Sequence, residues 1–65
     1  MSNNLEIFSK FLNQRVVIYL RNKFCYIGIL LDTSEDFIIL DDRKKGKIII
    51  SYNEINEIRG GNDAY

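Results

Sequence analysis

Histidine is absent from this 65-residue chain, and Cys25 is its one cysteine. These shortages exclude a disulfide framework and any Cys/His zinc cluster. With no activated-nucleophile pairing and no glycine-rich phosphate loop either, the sequence predicts a protein that is not an enzyme. Neither a metal nor a cofactor is expected. The acidic set Asp32, Glu35, Asp36, Asp41 and Asp42 lacks EF-hand spacing and reads as a solvated rim. No apolar run is long enough for a membrane span. The first residues show neither a basic stretch nor a long apolar one, so no signal peptide is expected, and the expected location is cytoplasmic. A surplus of charge is also missing. Nine basic side chains balance nine acidic ones. A protein coating nucleic acid through bulk electrostatics would be basic, so any RNA or DNA contact here must be local.

What the chain does have is closely spaced strand patterning. Val16, Ile18 and Leu20 alternate with Val17 and Tyr19, the period-2 signature of a strand with one buried face. Arg21-Asn22-Lys23 is a polar break of hairpin length. Phe24 to Leu31 follows as a strand apolar on both faces, and Cys25 within it reads as a small buried hydrophobe. Gly28 in its middle predicts a sharp bend or a close backbone approach. Asp32 to Glu35 makes the next turn, and Asp36 to Asp42 a third strand. Arg43-Lys44-Lys45-Gly46-Lys47 is a hairpin tip in which Gly46 supplies the turn conformation. Lys47 to Ser51 is a fourth strand. Tyr52-Asn53-Glu54 suits one turn of 3₁₀ helix, and Ile55 to Ile58 begins a short fifth strand.

Ahead of the strands, Leu5, Phe8 and Leu12 fall on one helical face with Ile7 and Phe11 beside it. Asn3 suits the N-cap, with Glu6 as its capping-box partner. The expected organisation is one domain over residues 1–65, mainly β: a helix at 3–13, a five-stranded, strongly bent antiparallel SH3-like barrel at 15–59, and a tail at 60–65. A domain this small, lacking disulfide and metal, points to support from oligomerisation. The fourth and fifth strands would present the edges of an incompletely closed barrel. Ile48, Ile49, Ile50, Ile55 and Ile58 are therefore the candidate contacts to another copy.

Val16-x-Ile18-x-Leu20, Tyr26-x-Gly28-x-Leu30 and the run Ile38-Ile39-Leu40-Asp41 resemble the first motif of the Sm-like (LSm) family. That family includes the bacterial RNA chaperone Hfq and archaeal Sm-like proteins. Ile50-Ser51-Tyr52-Asn53-Glu54-Ile55 falls where its second motif belongs. Asp36-Phe37-Ile38-Ile39-Leu40 is more similar to the Hfq branch than to the others. Ile58-Arg59-Gly60 spells the second motif literally, but that alignment leaves Asp63-Ala64-Tyr65 as the last strand, with no apolar residue in register. The RNA-contacting positions diverge: Phe37 stands at the position of an Asn, and Ser51, Tyr52 and Asn53 replace the cationic residues of both branches.

The resemblance implies a homo-oligomeric ring, a hexamer or heptamer, that binds single-stranded RNA. The pore would be lined by the loop from Thr33 to Phe37, with Asp36 and Phe37 at its end, and by the turn at Ser51, Tyr52 and Asn53. Phe37 and Tyr52 could stack bases, and Ser51 and Asn53 read base edges. Two readings stay open at these positions, since Phe37 also suits the core and Tyr52 a half-buried turn. Arg43, Lys44, Lys45 and Lys47 read either as a solvated tip or as a phosphate-contacting finger. The alternative function is an SH3-like protein-interaction or scaffold module without nucleic-acid binding.

Overall fold

The computed structural model describes residues 4–60. Its elements, in order, are helix α1 (Asn4–Ser9), strands β1 (Arg15–Leu20), β2 (Cys25–Thr33), β3 (Phe37–Asp42) and β4 (Gly46–Ser51), a 3₁₀ turn η1 (Tyr52–Glu54), and strand β5 (Ile55–Gly60). All five strands form one antiparallel sheet in the order β4-β3-β2-β1-β5. β4 and β5 occupy opposite edges, yet only the three residues of η1 join them. So short a connection is possible only if the sheet curls round to bring its edges near each other. The result is the strongly bent small barrel expected from the strand spacing.

Two irregularities let the sheet curl. In the β2–β3 ladder the register shifts between Leu30 and Asp32, and in the β1–β5 ladder between Tyr19 and Leu20. Such bulges bend the bulged strand and raise its twist. Gly28 answers a different demand. A Cβ there would lie 2.2 Å from the Asp41 main-chain oxygen, so β3 crosses β2 at a distance that only glycine allows.

The inner face of the curl is the core. Val16, Ile18, Leu30, Ile38 and Leu40 are fully buried, joined by Leu20, Ile50, Tyr52, Ile55 and Phe8 of the helix. Removing each large apolar side chain from water is worth about 1.5–3 kcal/mol. This core is what holds so short a chain folded.

α1 ends at Ser9, earlier than the apolar spacing predicts. The Ser9 hydroxyl donates back to the Leu5 carbonyl, taking a helix acceptor onto a side chain. Beyond it the backbone tightens to i→i+3 bonds, Phe11 N–H to Phe8 O at 2.9 Å and Leu12 N–H to Ser9 O at 3.2 Å. Asn13 then takes a left-handed conformation (φ 64°) and donates to Leu30 O at 2.7 Å, handing the chain to the sheet. Asn3, the expected N-cap, and residues 61–65 of the expected tail lie outside the described residues. Gly60, placed in that tail by the sequence, is the last residue of β5 and pairs with Val16.

Cys25 corrects its expectation. It is exposed, not buried. Its register partner is the exposed Tyr19, so strand parity puts it on the outer face of the curl, while Tyr26, Gly28 and Leu30 point inward. An apolar strand did not mean two buried faces: Ile29 on the same outer line is also exposed.

Candidate nucleic-acid interface

The two segments expected to form a site do meet. Phe37 is the register partner of Ser51, and the Tyr52 N–H donates to Asp36 O at 3.1 Å. The loop before β3 is held by Ser34, whose N–H donates to Phe37 O at 2.9 Å and whose hydroxyl donates to the same oxygen at 3.1 Å. The Ser51 hydroxyl accepts from the Asn53 N–H at 3.3 Å, capping η1. Asp36, Phe37, Ser51, Tyr52 and Asn53 therefore form one contiguous patch. Phe37 and Ser51 are half-buried in it, while Asp36 and Asn53 are exposed.

Tyr52 takes the buried alternative. It is 8% exposed, its ring meets Phe8 edge-on at a centroid distance of 5.1 Å, and its hydroxyl donates to Ser34 O at 2.6 Å. Burial, and then the nearby Asp36 carboxylate, raise its pKa above the usual 10.0. In this arrangement the ring offers no open face to a base. Of the expected stacking pair, Phe37 is the one with surface to offer.

The basic tip is elsewhere. Arg43, Lys44 and Lys45 close the β3–β4 hairpin at the end opposite Phe37 and Ser51, with Lys47 on β4 just beyond. The five strand steps between Phe37 and Asp42 span about 17 Å. The tip is braced by its own hydrogen bonds. One Asp42 carboxylate oxygen accepts from the main-chain N–H of both Lys44 and Lys45, each at 3.0 Å. Gly46 takes the left-handed conformation (φ 79°). Lys45 Nζ lies 5.2 Å from the centroid of the Tyr26 ring. A groove beside the tip is lined by Cys25, Ile27, Asp42, Arg43 and Lys44.

Among the expected interface residues, Ile50 and Ile55 are buried in the core and Ile48 and Ile58 pack partly against it. Ile49 alone is open, at 68% exposure. The buried side chains of Ile50 and Ile55 cannot serve a partner, whereas Ile48 and Ile58 keep part of their surface. β4 and β5 also offer their edge backbone, since no ladder joins the two strands among the described residues. Ile58-Arg59-Gly60 lies within β5, paired with Ile18, Val17 and Val16, so it is a strand and not the loop motif its letters spell. Among the described residues, no group of acidic or cysteine side chains is placed to hold a metal ion. No helix among them is long and apolar enough to cross a membrane.

Sequence patterning gave no sign of Arg21. Its N–H donates to Glu54 O at 3.0 Å and its Nε to Asn53 O at 2.8 Å. It ties the β1–β2 turn to η1 across 32 positions of sequence. No local pattern carries such a link; it follows only once the barrel has brought the two turns to one end.

No family model matches this sequence, and no curated protein matches it. The structure, in contrast, is similar to the crystal structure of Hfq, described as a pleiotropic translational regulator. The TM-score is 0.76 with 15% sequence identity, over 88% of this chain and 97% of that one. At this identity the likeness is one of fold, and the described chain has the Sm-like fold: a short helix followed by one five-stranded, strongly bent antiparallel sheet.

Proposed function

We propose that this chain is an Sm-like subunit that assembles into a closed homo-oligomeric ring of six or seven copies and binds single-stranded RNA, without enzymatic activity, in the cytoplasm. The observation that carries this is the near-complete structural match to Hfq, a translational regulator. Assembly fits the two unpaired sheet edges, because β4 of one copy can continue the sheet from β5 of the next and so remove both. Ile49 is the apolar side chain such a joint would cover.

RNA would be held at two places. Asp36, Phe37, Ser51, Tyr52 and Asn53 form the patch at one end, where Phe37 supplies a ring, and Ser51 and Asn53 supply donors and acceptors for base edges. Arg43, Lys44, Lys45 and Lys47 supply phosphate contacts at the other. A second reading, a protein-interaction module, draws support from the buried Tyr52 and from the exposed carboxylates of Glu35, Asp36 and Glu54 around the patch.

Fluorescence anisotropy with a labelled single-stranded oligoribonucleotide, over a range of salt concentrations, separates the two. Saturable binding that weakens as salt rises supports the RNA reading. No binding at any salt favours the interaction module.

A further inference from the structure

The patch at Phe37, Ser51 and Asn53 contains no cation. Glu35, Asp36 and Glu54 surround it with negative charge, and the basic tip lies at the far end of the hairpin. A polyanionic strand at this end needs a positive group closer by. Arg21 is the side chain that the fold delivers there.

The Arg21 guanidinium is aimed by two bonds. Its main-chain N–H is fixed on Glu54 O, and its Nε is hooked on Asn53 O at 2.8 Å. The two amino nitrogens of the fork have no hydrogen-bond partner among the described residues, which leaves their N–H donors for bidentate contact with a phosphate. Next to it, Asn22 is oriented in the same way. Its side-chain oxygen accepts from the Phe24 N–H at 3.1 Å, so its amide NH₂ remains as a donor. Both residues line one groove, with Leu20 as an apolar wall and Asn53 and Glu54 on the opposite side. This groove abuts Asn53, the exposed polar residue of the patch.

We infer that the groove lined by Leu20, Arg21, Asn22, Asn53 and Glu54 is a phosphate-binding subsite, in which the Arg21 amino nitrogens and the Asn22 amide hold the backbone of the strand whose bases meet Phe37 and Asn53. The strand's identity as RNA rests on the function proposed above. The phosphate subsite itself does not.

Two measurements test it. In the first, the full-length protein is titrated with inorganic tripolyphosphate while the Arg21 Nε–H and Asn22 side-chain amide resonances are followed by NMR. Saturable shifts of both, with the Asn22 shift abolished in Arg21→Ala, are the expected result. Resonances that do not move overturn the subsite whatever RNA does. In the second, anisotropy with the oligoribonucleotide compares the wild type, Arg21→Ala and Arg21→Lys. Arg21→Ala should lower the slope of log affinity against log salt by about 0.7 for each subunit contact, the effect of one lost phosphate neutralisation on a single strand. Arg21→Lys should keep that slope while binding more weakly, because an ammonium lacks the fork. Loosening the turn without removing a phosphate contact would leave the slope of Arg21→Ala unchanged, and that result would also overturn the subsite. If tripolyphosphate binds as expected but RNA does not bind the wild type, the RNA function fails and the subsite stands.

Discussion

The Tyr52 hydroxyl donates to the main-chain oxygen of Ser34 at 2.6 Å, joining the turn after β4 to the loop before β3. This one bond spans the two segments of the candidate site, with the ring beneath it packed on Phe8. A side chain that pattern alone would offer to a ligand is here a structural tie between the segments that carry the others.

Tyr52→Phe removes the tie and keeps the ring. The expected cost is about 1 kcal/mol, read from urea unfolding. The same bond predicts a pH effect. The folded-state pKa of Tyr52 is raised, so its contribution is fully present below pH 10 and is lost as pH climbs through the higher folded value. Stability of the wild type should therefore decline in strong alkali, and Tyr52→Phe should show less of that decline. Equal alkaline losses in the two proteins would remove Tyr52 as the cause.

Gly28→Ala should be the most damaging of the glycine substitutions. Its Cβ would meet backbone, with Asp41 O at 2.2 Å and Asp41 C at 2.8 Å. Neither can rotate away, so β2 and β3 must separate, at a cost of about 1–3 kcal/mol or more. Gly60→Ala meets nothing closer than the Phe11 ring at 3.8 Å and should be nearly neutral. Comparable losses at both sites in thermal unfolding would contradict the close crossing at Gly28.

Lys44→Ala combined with Lys45→Ala leaves the tip backbone in place, because Asp42 holds it through main-chain N–H groups. Stability should change little. If the tip contacts phosphates, the salt slope of RNA binding should flatten. RNA binding that is unchanged in affinity and slope would show the tip to be a solvated turn.

The order of strands was legible because alternation and turn residues repeat along the whole barrel. Val16-x-Ile18-x-Leu20 sets its own inner face, and Gly28 marked the close crossing. Cys25 was not legible. In a strand apolar at every position, composition cannot say which parity faces inward, and only the pairing with the exposed Tyr19 decides it. The register shift between Leu30 and Asp32 left no signal either, since no special residue type is required there. The strand pattern and the family resemblance predict that Asp36, Phe37, Ser51 and Asn53 share one surface, and the barrel does bring them together. They leave the orientation of Tyr52 open between a stacking ring and a half-buried turn aromatic, and the structure buries it. The tie that Arg21 makes to the turn after β4 left no local signal, because its partners are distant in sequence.

Ile49→Lys separates folding from assembly. Ile49 is 68% exposed, so the substitution should leave the fold itself within about 0.5 kcal/mol. If β4 joins copies as proposed, a lysine on that edge should break the oligomer. A variant that still assembles fully would place the joint elsewhere.

The most direct test of the account is native mass spectrometry of the wild-type protein at low micromolar concentration. A discrete closed assembly of six or seven copies is the result expected from an Sm-like subunit with unpaired edges on β4 and β5. A clean monomer would contradict the ring and transfer the candidate site to a protein-interaction module.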